Sequence, residues 1–347
     1  MSIATHRTLR RVLRATWAVF LRYSGVMWYV RRQILRQGCA NVLMLHRVLN
    51  DESLGCTCSL PDIIVREVTF RHLLAYLAET FTVVPLQSAR PDTKKSTVVI
   101  TFDDGWLDNY TNAFPLLAAY DMPWTLFICS GLTGKNAPFW PERAIAALRA
   151  SAVPSDEIRS TVERLKLLAP NERDHAIAQF SAQPSDTIEN PVDATMSWEQ
   201  VRELDRAGVC IGAHTHSHQI LTSVTVETAS MEVSECRQTI EKNLGKPCKT
   251  LAYPNGNCSP AIRHLVSNAG FGLAVTTQRG LWHTEADPLT VPRNNICEDN
   301  ITGLTGSFSP AMFEYTTIWK AWRASRTSRL AECTTAQTPP VAQSQLL

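Results

Sequence analysis

The stretch that most narrows the choice of fold is Val98-Val99-Ile100-Thr101-Phe102-Asp103-Asp104-Gly105, a β-branched and aromatic run that stops at two adjacent carboxylates and a glycine. A continuous apolar run of this length suits a strand buried on both faces, the kind that parallel sheets covered by helices contain. It delivers its acids to the C-terminal strand end. Neighbouring side chains there point in different directions, so one carboxylate can hold a cation while the other handles a proton. Gly105 lets the backbone turn sharply beside them. Taken alone, Asp-Asp-Gly also fits an ordinary turn between strand and helix.

A second apolar run, Val209 to Ala213, leads into His214-Thr215-His216-Ser217-His218, which holds three of the nine histidines. Kept extended, His214 and His218 would stand about 13 Å apart. A backbone curl of one turn brings such a pair to within about 6 Å, with His216 pointing elsewhere. Two imidazoles and a strand-end carboxylate form a donor set for a divalent ion with open coordination positions, zinc by default, with cobalt and nickel accepting the same ligands. A single histidine is more often a hydrogen-bonded structural residue, but H-x-x-x-H together with Asp-Asp is a constellation.

Thr101 to Gly105 and His214 to His218 resemble the first two motifs of the polysaccharide deacetylase family, carbohydrate esterase family 4, also called the nodulation-protein B homology domain. Val42-Leu43-Met44-Leu45-His46-Arg47-Val48 resembles the opening strand of the family's bacterial exopolysaccharide branch. Leu251-Ala252-Tyr253-Pro254-Asn255-Gly256 resembles its third motif, and Val291-Pro292-Arg293 a segment near its end. The resemblance implies a distorted, incomplete (β/α) barrel. It also implies a metal held by Asp104, His214 and His218, with Asp103 as general base and His46 as the acid that protonates the leaving amine. Tyr253, Pro254 and Asn255 would line the substrate groove, the backbone N–H of Tyr253 helping to hold the oxyanion. Many members carry an arginine in the third motif that orients the catalytic aspartate. None stands there in this chain, so Arg293 becomes the candidate partner, a structural salt bridge being its other reading. The implied reaction is metal-assisted removal of an N-acetyl group from an amino sugar of a glycan, exopolysaccharide or lipid-linked saccharide, releasing acetate. Hydrolysis of another amide, such as a formyl-sugar or small acetamide, and a catalytically silent membrane-associated scaffold remain open.

The alternation of strand and helix through Asn109–Ala119 and Trp124–Cys129 predicts parallel βα units with the site at the C-terminal strand ends. It lapses between about residues 131 and 191, which reads as a helical insertion. Phe139 and Trp140 there suit either stacking on a sugar or anchoring the insertion. Ser197-Trp198-Glu199-Gln200 has the form of a capping box. The expected division is a basic arm over 1–40, the barrel over 41–310, and a C-terminal helix and disordered tail over 311–347.

The net charge of +2 conceals an asymmetry: residues 1–40 hold eight arginines and no acid, which leaves the remainder near −6. Leu9, Leu13, Trp17, Phe20 and Leu21 fall at helical spacing, with Arg7, Arg10, Arg11 and Arg14 largely on another face. The pattern fits a helix lying on an anionic membrane surface through residues 7–36, and equally one packed on the barrel with a solvated basic edge. The apolar stretch is too short to span a bilayer, Arg22 interrupts it, and no signal-peptide cleavage site follows. The acidic remainder argues against nucleic acid. Ten scattered cysteines show neither metal spacing nor a disulfide framework, so a reducing cytoplasmic location is expected, peripheral at the inner membrane if the arm binds lipid.

Overall fold

The computed structural model describes residues 3–89, 95–180, 191–283 and 285–327. The strands are β1 (Cys39–Leu45), β2 (Arg47–Leu49), β3 (Ile64–Arg66), β4 (Thr82–Val83), β5 (Thr97–Phe102), β6 (Trp124–Ile128), β7 (Cys210–Ala213), β8 (Thr250–Ala252), β9 (Leu273–Val275), β10 (Trp282–His283) and β11 (Asn294–Asn295). β1, β5, β6, β7, β8 and β9 lie side by side in that order, all parallel. The ring closes through the segment 291–295. Val291 bridges Val275 of β9, while Asn294 and Asn295 pair in parallel with Leu43 and Met44 of β1. The result is the distorted (β/α) barrel expected from the sequence.

The period of two along a strand decides what faces the barrel axis. Ala40, Val42, Val99, Phe127, Ala252, Val275 and Val291 pack together in the interior. Leu43, Leu45, Val98, Ile100 and Phe102 pack outward against the helices. Continuing the inward register by two residues at a time reaches His46, Asp103 and Arg293, and His214 follows outward-facing Ala213. Four polar residues thus arrive at the mouth because apolar ones precede them in register. Gly212 is small of necessity, since a Cβ there would meet the Phe127 ring at 2.5 Å.

The insertion forms three helices, Trp140–Ala150, Ser155–Leu165 and Pro170–Phe180, around their own apolar core that includes Ile145, Leu148, Ile158, Val162 and Ile177. The capping box is formed at Ser197, whose hydroxyl accepts from the Gln200 N–H while the Gln200 side chain accepts from the Ser197 N–H.

The N-terminal arm is two helices, Ile3–Tyr23 and Val26–Arg36. The first packs on the C-terminal helix through Ala15 and Ala18 against Ala311 and Met312. Leu21 is buried with them, whereas Leu9, Leu13, Trp17 and Phe20 are exposed. The grouping of Leu21 with those four residues is therefore corrected: the small alanines, which carry little weight in a sequence pattern, mark the packed face. Glu314, 1% exposed, ties both helices down by pairing with the Arg22 charge at 2.6 Å and accepting from Arg31 at 3.1 Å and the Tyr76 hydroxyl at 2.8 Å. No described helix is long and apolar enough to cross a membrane. The disordered tail expected at the end of the 311–347 segment lies, from residue 328 on, outside the described residues.

Removing the Glu314 charge leaves two arginines without their shared counter-charge. Glu314→Gln is expected to lower stability by about 2 kcal/mol, a buried-pair penalty reduced by the partial exposure of both arginines, measured by denaturant unfolding.

Candidate active site

Asp104 stands where the strand run ends, in the left-handed region at φ 75°, and the turn it makes swings its carboxylate toward β7. Trp106 Nε1 donates to its Oδ2 at 2.9 Å, leaving Oδ1 buried without a hydrogen-bond donor. That oxygen lies 3.3 Å from His214 Nε2 and 3.5 Å from His218 Nε2. The two histidines converge because Thr215 and His218 adopt positive φ, 63° and 61°, rather than through a helical turn. His216 leaves the cluster and contacts the Ser130 hydroxyl at 3.0 Å.

His214 Nδ1 faces the Ala252 carbonyl at 2.8 Å, which makes Nδ1 the protonated nitrogen and turns the Nε2 lone pair toward Asp104. Burial pushes His218 down to about 4, so its imidazole is neutral near pH 7. Burial opposes a charge on His214 as well, but the close Asp104 contact, the negative charges of Asp103 and Asp104 and the Ala252 carbonyl together outweigh it and raise the proton affinity. Donors bound at about 2.0–2.2 Å to one tetrahedral ion stand roughly 3.3–3.6 Å apart. The separations from Asp104 Oδ1 and the orphaned state of that atom fit a divalent ion, and the three donor atoms lie within 4.8 Å of one another.

Asp103 points the other way, into the barrel. Arg293 grips it with both arms of its guanidinium, Nη1 to Oδ1 and Nη2 to Oδ2, each at 2.7 Å. Arg293 is itself fully buried and fixed by its Nε donating to the Thr276 carbonyl and Nη1 to the Thr101 hydroxyl. Burial alone would raise the Asp103 carboxyl, but the charge and hydrogen bonds of Arg293, together with the neighbouring histidines, more than reverse this and hold it below the usual carboxylate range. His46 Nε2 lies 3.9 Å from Asp103 Oδ2, and both side chains face the cavity.

The third-motif segment requires a correction. The Tyr253 N–H already donates to the Val275 carbonyl at 3.1 Å in the β8–β9 ladder, so it has no proton left for an oxyanion. Tyr253 is fully buried, with its hydroxyl bonded to the Leu289 carbonyl, and Pro254 is buried and has no N–H. Of the three residues only Asn255, held at φ 58°, lines the cavity.

The cavity measures about 330 Å³ and lies between the barrel mouth and the insertion. Phe139 and Trp140 are both buried and border it. Phe139 sets its ring edge-on to His218 and against Trp106, and Arg173 stacks on Trp140 at 4.4 Å. Anchoring is thus what their contacts serve, and Phe139 backs one imidazole of the cluster.

Two features escaped the sequence reading. Arg47, next to His46, is fully buried, salt-bridged to Asp108 and Asp193, and stacked over Trp106 at 4.3 Å. Only its place beside a strand-end histidine hinted at it. Glu142, in the insertion, is 5% exposed, accepts from the Ser59 hydroxyl at 3.0 Å and borders the cavity. An acid in a helix carries no sequence signal of burial. Burial, with the nearby Asp104 charge, pushes its carboxyl up to about 8.

The family profile of polysaccharide deacetylases matches residues 90–274, more than half of the chain. The chain belongs to that family. His46 and Arg293 lie outside the matched stretch. Bacillus subtilis (strain 168) YxkH, named as a polysaccharide deacetylase, is 21% identical over 194 residues, which is 56% of this chain and 48% of that protein. The chain thus matches about half the length of this curated relative. Among solved structures, the Streptococcus pyogenes deacetylase PplD in complex with acetate is similar with a TM-score of 0.54 and 19% identity over 80% of this chain and 98% of that one. IcaB from Ammonifex degensii is similar with a TM-score of 0.52 and 20% identity over 76% and 94% of the two chains. At these identities the likeness concerns the fold.

Because the folded protein prefers Glu142 protonated, the sign of its effect on stability is fixed. The contribution is intact below the ordinary value of 4.5 and is lost as pH rises through about 8. In metal-free protein, thermal melting should therefore fall across that window, and Glu142→Gln should flatten the fall. An unchanged slope in the variant would show that Glu142 is ionised.

Proposed function

We propose that the protein is a metal-dependent N-deacetylase of amino sugars, acting on a glycan, exopolysaccharide or lipid-linked saccharide and releasing acetate. The observation that carries this reading is the side-by-side placement of two differently employed carboxylates, Asp104 with the imidazoles and Asp103 with Arg293. Asp104, His214 and His218 would hold the ion, zinc by donor chemistry, with cobalt and nickel as alternatives. When bound it supplies Lewis-acid polarisation of the acetamide carbonyl and a lowered pKa for water.

The chain's own residues then divide the proton work. Asp103 takes a proton from the attacking water, and Arg293 keeps its carboxylate ionised and oriented for that purpose. His46, on the cavity side of Asp103, delivers a proton to the departing nitrogen so that a neutral amine leaves. Asn255 and Glu142 border the space for the sugar, where each offers a hydrogen-bonding group. A volume of about 330 Å³ lies at the small end of the range for ligand pockets, about 300–1,000 Å³, and favours one acetamido sugar over a long run of polymer. A scaffold would have no use for a buried, arginine-paired carboxylate beside a cluster of metal-type donors, which weighs against the silent reading.

The test is acetate release from N-acetylated amino sugars and glycolipids by protein stripped of metal and reloaded with zinc. Release should require the metal. Asp103→Asn should keep zinc and lose roughly 10²–10⁴-fold in turnover, the usual worth of a general base. His218→Ala should lose zinc occupancy by elemental analysis. An active Asp103→Asn, or zinc held as tightly without His218, would overturn the assignments.

A further inference from the structure

The helix Ile3–Tyr23 turns its charges inward and its apolar side chains outward. Ala15, Ala18 and Leu21 are buried, and on that same side Arg14 reaches Asp299 at 3.1 Å and Arg22 reaches Glu314 at 2.6 Å. The opposite side presents Leu9, Leu13, Trp17, Val19, Phe20 and Tyr23, each exposed by about half or more. At 100° per residue these six fall in an arc of roughly 160°. Between Leu9 and Tyr23 no charged residue lies in that arc. Trp17 and Phe20 stack at 5.2 Å, and the next helix adds exposed Trp28 and Tyr29. A soluble helix carries the reverse pattern. Contiguous apolar surface of this kind marks a binding face.

The charge around it says what binds there. Arg10 borders the arc, Arg32 stacks over Trp28 at 5.2 Å, and Arg36 is exposed, in a segment of eight arginines without an acid. A second copy would bring the same positive face and be repelled across a two-fold contact. An anionic bilayer attracts it. Tryptophan and tyrosine beside arginine, around an apolar stripe too short to span, is the composition of a helix that lies in the lipid interface. We propose that the Leu9–Tyr23 face is a docking surface for anionic phospholipid membranes, with the helix lying in the plane of the headgroups and its alanine side remaining on the barrel. This differs from a basic face resting on lipid: most of the inward arginines are committed to the body of the protein, and apolar insertion carries the contact.

Arg11 and Arg14 join this helix to Gly303 and Asp299, in the segment that follows β11 at its mouth end. The docked face therefore runs alongside the barrel from the level of the mouth. The inference does not rest on the chemistry proposed for the site.

The test is sedimentation of the 347-residue chain with vesicles of phosphatidylcholine alone and of phosphatidylcholine mixed with phosphatidylglycerol. Binding is expected to the mixed vesicles and to weaken with salt. The exposed pair Trp17→Glu with Phe20→Glu should reduce it by about tenfold or more while leaving the melting temperature and acetate release from a soluble substrate unchanged. Equal recovery in the supernatant with and without vesicles would overturn the proposal, as would undiminished binding of the double variant. Concentration-dependent dimerisation in the absence of vesicles, abolished by the same substitutions, would assign the face to a second copy and overturn it equally.

Discussion

A carboxylate closed inside the barrel is the constraint around which the rest is arranged. Asp103 occupies the inward position just past the end of β5, 2% exposed, where an unpaired charge would cost several kcal/mol. Arg293 answers it from across β1 with two parallel hydrogen bonds, and the strand segment that carries Arg293 is the one that closes the barrel between β9 and β1. Closure and charge compensation are thus one event. The pair needs the ring closed to meet, and closing the ring without it would bury two lone charges.

From that pair the division of labour follows. Two adjacent acids at one strand end would repel if both faced the same space. The register sends Asp103 to the arginine, and the left-handed backbone at Asp104 sends the second acid to the imidazoles. The surrounding contacts hold this separation: Trp106 donates to Asp104, Arg47 stacks on Trp106, and Phe139 of the insertion backs His218. The insertion is therefore part of the site's frame as well as a wall of its cavity.

How much of this was legible in the sequence depended on whether the signal was local. The inward and outward alternation, the strand-end clusters and the capping box at Ser197 are local patterns, and they placed Asp103, Asp104, His214 and His218 at one mouth. The proximity of Arg293 to Asp103 was an inference from a gap in a motif, and it is a contact between residues 190 positions apart. Tyr253 went wrong because sequence order says nothing about whether an N–H is already bonded, and here β9 takes it. Glu142 and Arg47 were missed because burial of a charged side chain is a property of what folds over it. The first helix of the N-terminal arm was read from its large apolar residues, while its contact with the body is made by Ala15, Ala18 and, among the large ones, Leu21.

The most direct measurement is anomalous diffraction at the zinc absorption edge from crystals of zinc-loaded protein. The account predicts one peak bonded to Asp104, His214 and His218 at about 2.0–2.2 Å, with Asp103 still paired to Arg293. A peak elsewhere, or Asp103 released from Arg293 to take the ion while Asp104 stands aside, would contradict it.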